Sequence, residues 1–218
     1  MNKICAIHQP NFFPWMGYFD KIKKADVFVF LDDIQNQKTG SGNLNRTQIN
    51  YYGKKKYFTC PIKRGSGLAS INEIEFSDMG WRSSFLNVVK NYYAKSKNFD
   101  STYNFIQDLV YFHEDQFLSN FNRHIIKALC LKLGLETKFI SKSDLNIKSQ
   151  STQMLVDICK AVGAETYLCG SGASGYQDDE LFKIRGIELK YQKYEPRPYG
   201  VENDFLPGLS VIDYLMVS

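Results

Sequence analysis

Residues 4–33, ICAIHQPNFFPWMGYFDKIKKADVFVFLDD, carry the alternation of apolar and polar blocks that decides the fold. Cys5, Ala6 and Ile7 end a short apolar run that reads as a buried strand. His8, Gln9, Pro10 and Asn11 form a polar, proline-marked break where the chain must turn. Pro14 fits the first turn of a helix, where its missing N–H does no harm. Trp15, Tyr18, Phe19 and Ile22 then recur at helical spacing. Asp26 opens a second strand, Val27 to Leu31, apolar throughout and so expected to be buried on both faces. Strand, short loop, helix and strand in this order make a βαβ unit with a right-handed crossover. The predicted class is α/β, a mostly parallel Rossmann-like sheet with a β-hairpin insertion and a helical segment.

This order puts two polar clusters at one end of the sheet. His8, Gln9 and Asn11 follow the first strand; Asp32, Asp33 and Gln35 follow the second. Open parallel sheets bind ligands beyond the carboxyl ends of their strands. The helix expected from Pro14 would aim free N–H groups there, suited to a phosphate or carboxylate. Taken alone, His8 reads as a helix cap and Asp32-Asp33 as a solvated turn. The convergence of the two clusters favours a site.

The chain has 218 residues, enough for one sizeable domain, and a single domain over 1–218 is expected. Net charge is +4, too weak to argue for nucleic acid and equally suited to a small anionic ligand. Aromatic residues make up 15%, a high share; much of it suits a core, but aromatics in loops also stack on sugar rings and bases. The cysteines, Cys5, Cys60, Cys130, Cys159 and Cys169, are odd in number and irregular in spacing. Most sit in apolar runs and read as small core residues of a reducing compartment. The N-terminus lacks a long apolar segment, and no window is apolar for the length of a membrane span. A cytoplasmic protein without membrane attachment is expected. No metal-ligand spacing appears; His113 and His124 read as ordinary helix residues.

Residues 36–45, NQKTGSGNLN, are a polar, Gly-rich loop expected over the crevice. A hairpin follows, from Arg46 through the Tyr51-Tyr52-Gly53 turn to Ile62, and INEIEF at 71–76 alternates like another strand. Together they form a β-rich insertion at about 43–77. A helical segment occupies about 81–134, with apolar faces at Trp81, Phe85 and Val89, at Phe105 and Leu109, and over 115–133 before Gly134. The last third returns to α/β. A short strand at 137–140 leads to a helix at 151–162 with Ser151-Thr152 as caps, then a buried strand, Thr166 to Cys169. Gly170-Ser171-Gly172-Ala173-Ser174-Gly175-Tyr176 comes directly after it. Such glycines let backbone N–H groups approach a ligand closely, although the run is neither a Walker A loop nor GxGxxG.

These segments resemble the WbqC-like protein family of bacteria over nearly the whole chain. His8-Gln9-Pro10 with Pro14-Trp15-Gly17-Tyr18-Phe19 carries the likeness most specifically. Asp32-Asp33-Gln35, Asn45-Arg46, Pro61, Gly170, Tyr176, Tyr199, Leu209-Ser210 and Asp213 follow in order and spacing. The resemblance implies a setting in O-antigen and related surface polysaccharide synthesis. It implies more loosely a transferase that places glycine on an amino sugar. A second resemblance, to nucleotidyltransferases with an HxGH motif, covers the first βαβ unit in layout alone. Gly17-Tyr18 stands where Gly-His would be needed, which argues against that adenylyl-transfer machinery.

The expected reaction moves an acyl or glycyl group to the amine of a nucleotide-linked amino sugar. It needs a base for the amine proton and donors for the oxyanion. His8 is the candidate base, with Asp32 or Asp33 to orient it. Arg46 and the glycine loop at Gly170, Ser171 and Gly172 are candidates for the diphosphate, and Trp15 or Tyr176 for ring stacking. Gln9, Asn11, Gln35 and Asn45 complete the expected binding set. The donor is open: ATP with free glycine, another activated acyl carrier, or aminoacyl-tRNA. The alternatives are a non-catalytic nucleotide-sugar-binding or scaffold protein, and a nucleotidyltransferase-like enzyme.

Overall fold

A computed structural model describes residues 2–36, 43–63, 65, 69–112, 115–170, 172, 177–200 and 205–218. In chain order the elements are β1 (Ile4–His8), α1 (Met16–Lys23), β2 (Val27–Phe30), β3 (Arg46–Tyr51), β4 (Lys54–Thr59), α2 (Trp81–Tyr93), α3 (Phe99–Phe112), α4 (Leu118–Lys132), β5 (Lys138–Ser141), α5 (Ser151–Ala161), β6 (Thr166–Cys169), α6 (Asp179–Ile184), β7 (Glu188–Tyr191) and α7 (Val211–Val217). Two compact units emerge. A sheet unit comprises Met1–Pro10, Tyr18–Asp33 and Cys130–Glu195; a hairpin–helix unit comprises Asn11–Gly17, Ile34–Leu129 and Pro196–Ser218.

The sheet unit holds a five-stranded sheet in the order β5-β2-β1-β6-β7, with every pairing parallel. Counted within the sheet this is 3-2-1-4-5, the Rossmann-like order, with its switch point between β1 and β6. The inner strands are apolar because both faces are covered: every residue of β2 (VFVF) and of β6 (TYLC) is buried. The edge strands carry the charges instead, among them Lys138 on β5 and the Glu188–Lys190 pair on β7. Phe28, Phe30 and Phe139 pack ring on ring, and Tyr18 and Phe19 of α1 join them. Burying each such side chain contributes about 1.5–3 kcal/mol.

The hairpin–helix unit contains the antiparallel pair β3–β4. Its turn, Tyr52-Gly53, has φ of +48° and +78°, the two left-handed residues of a type I′ hairpin. The core is an aromatic cluster. Phe12 meets Phe13, Trp81, Phe85 and Phe121 at ring-centre distances of 4.9 to 6.0 Å. Phe76 stacks on Trp81 at 4.9 Å.

Several local expectations are corrected. Helix α1 begins at Met16, past Pro14, because Trp15 is held in an extended bridge to Ser210. Ile71–Glu73 is a 3₁₀ turn, not a strand: Ile71 and Ile74, three apart, are both fully buried, and Glu73 Oε2 accepts from Ser70 N. Helix α4 starts at Leu118; Asp115 precedes it and accepts from Phe117 N and the Asn120 amide. Thr152 Oγ1 does not cap α5 but accepts from Asp178 N, while Asp178 caps α6. All five cysteines are buried and free. Among the described residues no helix is long and apolar enough to cross a membrane.

Candidate functional site

The carboxyl edge of the parallel sheet gathers polar groups from successive strands. His8 is the last residue of β1, and its Nδ1 lies 3.0 Å from the carbonyl oxygen of Gln9. A carbonyl oxygen only accepts, so Nδ1 carries the hydrogen and Nε2 keeps its lone pair. Tyr18 crosses the imidazole edge-on at 4.9 Å and donates its hydroxyl to the same Gln9 oxygen at 2.9 Å. Burial, with the nearby Lys21 ammonium, pushes the imidazole down to about 4, against the opposing pull of the Gln9 bond. His8 is therefore neutral at pH 7, a ring with one free acceptor nitrogen.

Lys21 is the residue that sequence reasoning missed. It sits three positions after Tyr18 on α1, inside the apolar stripe, and is only 3% exposed. Its Nζ donates to Ile7 O at 2.8 Å, and burial lowers it to about 8. A lysine within the stripe formed by Tyr18 and Ile22 is the signal that could have found it.

On the other side of the switch point, β6 ends at Cys169. Its register with β1, Ile4 opposite Thr166 and Ala6 opposite Leu168, brings the chain past His8 and Gly170 at one edge. The Cys169 thiol is buried, with Gln177 Nε2 at 3.7 Å, and burial raises it above the ordinary thiol range. Cys60 is pushed further the same way, so neither is an activated nucleophile. Gly170 is half-buried and Gly172 exposed; Ser171 and Tyr176 lie outside the described residues.

The two acids after β2 take a different role from the one expected. Asp32, 1% exposed, accepts from Ser143 N at 3.0 Å and from Ser143 Oγ at 2.9 Å. Asp33 Oδ2 pairs with the buried Lys142 Nζ at 2.9 Å. The two carboxylates thus tie the chain after β2 to the chain after β5. The group that orients His8 is the Gln9 carbonyl.

The hairpin–helix unit brings together three more of the expected residues. Asn11, Trp15 and Arg46 line a cavity of about 50 Å³, room for water or a small polar group. Asn11 is 6% exposed and its Oδ1 has no hydrogen-bond partner; nor has the buried Nε of Arg46, whose guanidinium stacks on Tyr57 at 4.5 Å. The unpaired acceptor and the unpaired donor thus belong to two side chains that line one cavity. The backbone between the lining residues Phe12 and Pro14 is strained: Phe13 has φ +39°, held by Thr47 Oγ1 and Ser210 Oγ, which both donate to its carbonyl at 2.7 and 2.9 Å. A Cβ on Gly17 would come within 2.4 Å of the Trp15 ring, so glycine there seats the indole. Asn45 and Gln35 are not part of this cavity. Asn45 Nδ2 donates to Cys60 O at the base of the hairpin, and Gln35 bridges to Ser70.

The model of the WbqC-like protein family matches residues 9–218. Uncharacterized protein Rv1507c of Mycobacterium tuberculosis is 27% identical over 218 residues, which cover 99% of this chain and 93% of that protein. No solved structure matches the chain.

Proposed function

Since the chain belongs to the WbqC-like protein family, we propose that it transfers an acyl or glycyl group to the amine of a nucleotide-linked amino sugar in surface polysaccharide assembly. The observation that supports this most is the neutral His8 at the end of β1, beside the β1–β6 switch point of a parallel sheet. The sugar amine attacks the acyl carbon and a C–N bond forms. The amine proton passes to His8 Nε2, the nitrogen that the Gln9 carbonyl leaves free. The C–X bond to the donor then breaks. The imidazolium then hands that proton to the leaving group X. The Lys21 ammonium supplies positive charge for the oxyanion or for the sugar's phosphates. Asp32 and Asp33 act by fixing the loops through Ser143 and Lys142. The donor is an activated acyl or glycyl group, formed with ATP or delivered on a carrier.

A second reading, a nucleotide-sugar-binding protein without catalysis, is favoured by one observation: both acids at the edge already have partners and neither orients His8. Mass spectrometry of nucleotide-linked amino sugars incubated with the protein, ATP and glycine, or with glycyl-tRNA, separates the two. Transfer predicts a sugar heavier by one glycyl group, and about 10²–10⁴-fold less of it with His8→Asn, while the thermal shift given by the sugar nucleotide survives. A retained thermal shift with no mass gain from either donor selects the binding protein.

A further inference from the structure

Beyond the sheet edge, the hairpin–helix unit has a cleft of about 860 Å³ that none of the roles above uses. That volume is within the range of small-molecule sites. Its floor is polar and buried. Tyr93 donates its hydroxyl to Asp213 Oδ1 at 2.9 Å and accepts from Asn50 N at 3.0 Å, and Asp213 is 5% exposed. Burial raises the Asp213 carboxyl, opposed by the hydroxyls of Tyr93 and Tyr199. The wall is aromatic. Tyr52, at the hairpin tip, is 79% exposed, and its ring meets Tyr92 edge-on at 5.4 Å. A tyrosine left this open at a strained left-handed position offers a ring face to whatever enters. The mouth is basic, with Lys95 and Lys97 both exposed and lining the cleft. Lys54, Lys55 and Lys56 follow the hairpin tip and add to the positive field.

We propose that this cleft is a binding site for a phosphorylated sugar. Tyrosine faces stack on the C–H face of a pyranose, and the Asp213 carboxylate, whose Oδ1 takes the Tyr93 hydroxyl, accepts from its hydroxyls. Lys95 and Lys97 hold the phosphate at the mouth. A neutral sugar leaves the lysines unused. The inference is independent of the transfer reading, because every residue it needs lies in the hairpin–helix unit.

The test is calorimetric titration of the full-length protein with glucose 1-phosphate, glucose, inorganic phosphate and UMP. Glucose 1-phosphate is expected to bind at least about tenfold more tightly than glucose or phosphate. Tyr52→Ala is expected to weaken it about 3–10-fold. The double variant Lys95→Ala/Lys97→Ala is expected to weaken it further and to flatten its salt dependence. These side chains are exposed, so the variants keep the fold, which a melting curve checks. His8→Asn is expected to leave this binding unchanged. Four results overturn the inference: no binding of glucose 1-phosphate; binding that ignores all three substitutions; UMP bound as tightly as the sugar phosphate; or loss of binding in His8→Asn, which would move the titrated site to the sheet edge.

Discussion

The sheet unit and the hairpin–helix unit solve the same problem, placing polar groups beside a dry core, in opposite ways. In the sheet unit topology does the placing. β1, β2, β5, β6 and β7 run parallel, so whatever follows each strand arrives at one edge, which brings His8, Asp32, Asp33, Ser143 and Gly170 there before any contact among them forms. In the hairpin–helix unit each polar group is placed by dedicated contacts. Phe13 O is fixed by two hydroxyls, the Trp15 ring by the bare Cα of Gly17, and Asp213 by phenols. A parallel sheet is thus forgiving about which residues carry its chemistry, whereas an aromatic cluster ties each polar position to particular neighbours.

The largest expected effect tests the aromatic side. Phe121 is fully buried against Phe12, Phe76 and Trp81. Phe121→Ala should lower stability by about 3–5 kcal/mol in a urea melt, and a loss near 1 kcal/mol would mean the cluster repacks freely.

Next comes the sheet edge. His8 is depressed to about 4 in the folded chain, against about 6.5 when unfolded. Between these values the unfolded chain binds the extra proton and the folded chain does not. Stability is therefore full above about pH 6.5, falls as pH drops towards 4 and levels off below, by at most about 3 kcal/mol. His8→Asn should remove that component of the slope in urea midpoints measured from pH 7.5 to 4; identical slopes would show that the ring is not buried as described.

A smaller effect is expected where a contact, not the topology, sets a position. Gly17→Ala should cost about 1–3 kcal/mol, since the added methyl must displace the Trp15 ring, and should shift tryptophan fluorescence. A neutral change with an unaltered spectrum would break the contrast between the units. Smallest of all, Tyr52→Ala at the exposed hairpin tip should change stability by about 0.5 kcal/mol or less. A larger loss would make Tyr52 part of the fold and not of a binding surface.

The same contrast explains what was legible in the sequence. VFVF and TYLC announce buried parallel strands because a residue covered on both faces leaves little choice of type. The Tyr-Gly turn announces the hairpin because two left-handed residues in succession are costly for most others. INEIEF misleads because Ile74, Glu75 and Phe76 alternate while Ile71 and Ile74 obey a period of three, and only packing shows which rule governs. Lys21 escapes because a lysine is read as solvent-facing until its ammonium is found on the Ile7 carbonyl. Asn11 and Arg46 are recognisable as unusual residues, but their unpaired atoms are a property of three-dimensional neighbours, which spacing does not encode.

The carbonyl shared by His8 and Tyr18 has an evolutionary consequence. The oxygen that fixes the histidine tautomer belongs to the main chain, so replacing the Gln9 side chain leaves it in place. A substitution at position 9 would thus change the side chain presented at this edge while the His8 tautomer keeps its identity. Under the proposed transfer, specificity could change at this edge without altering the nitrogen that takes the proton.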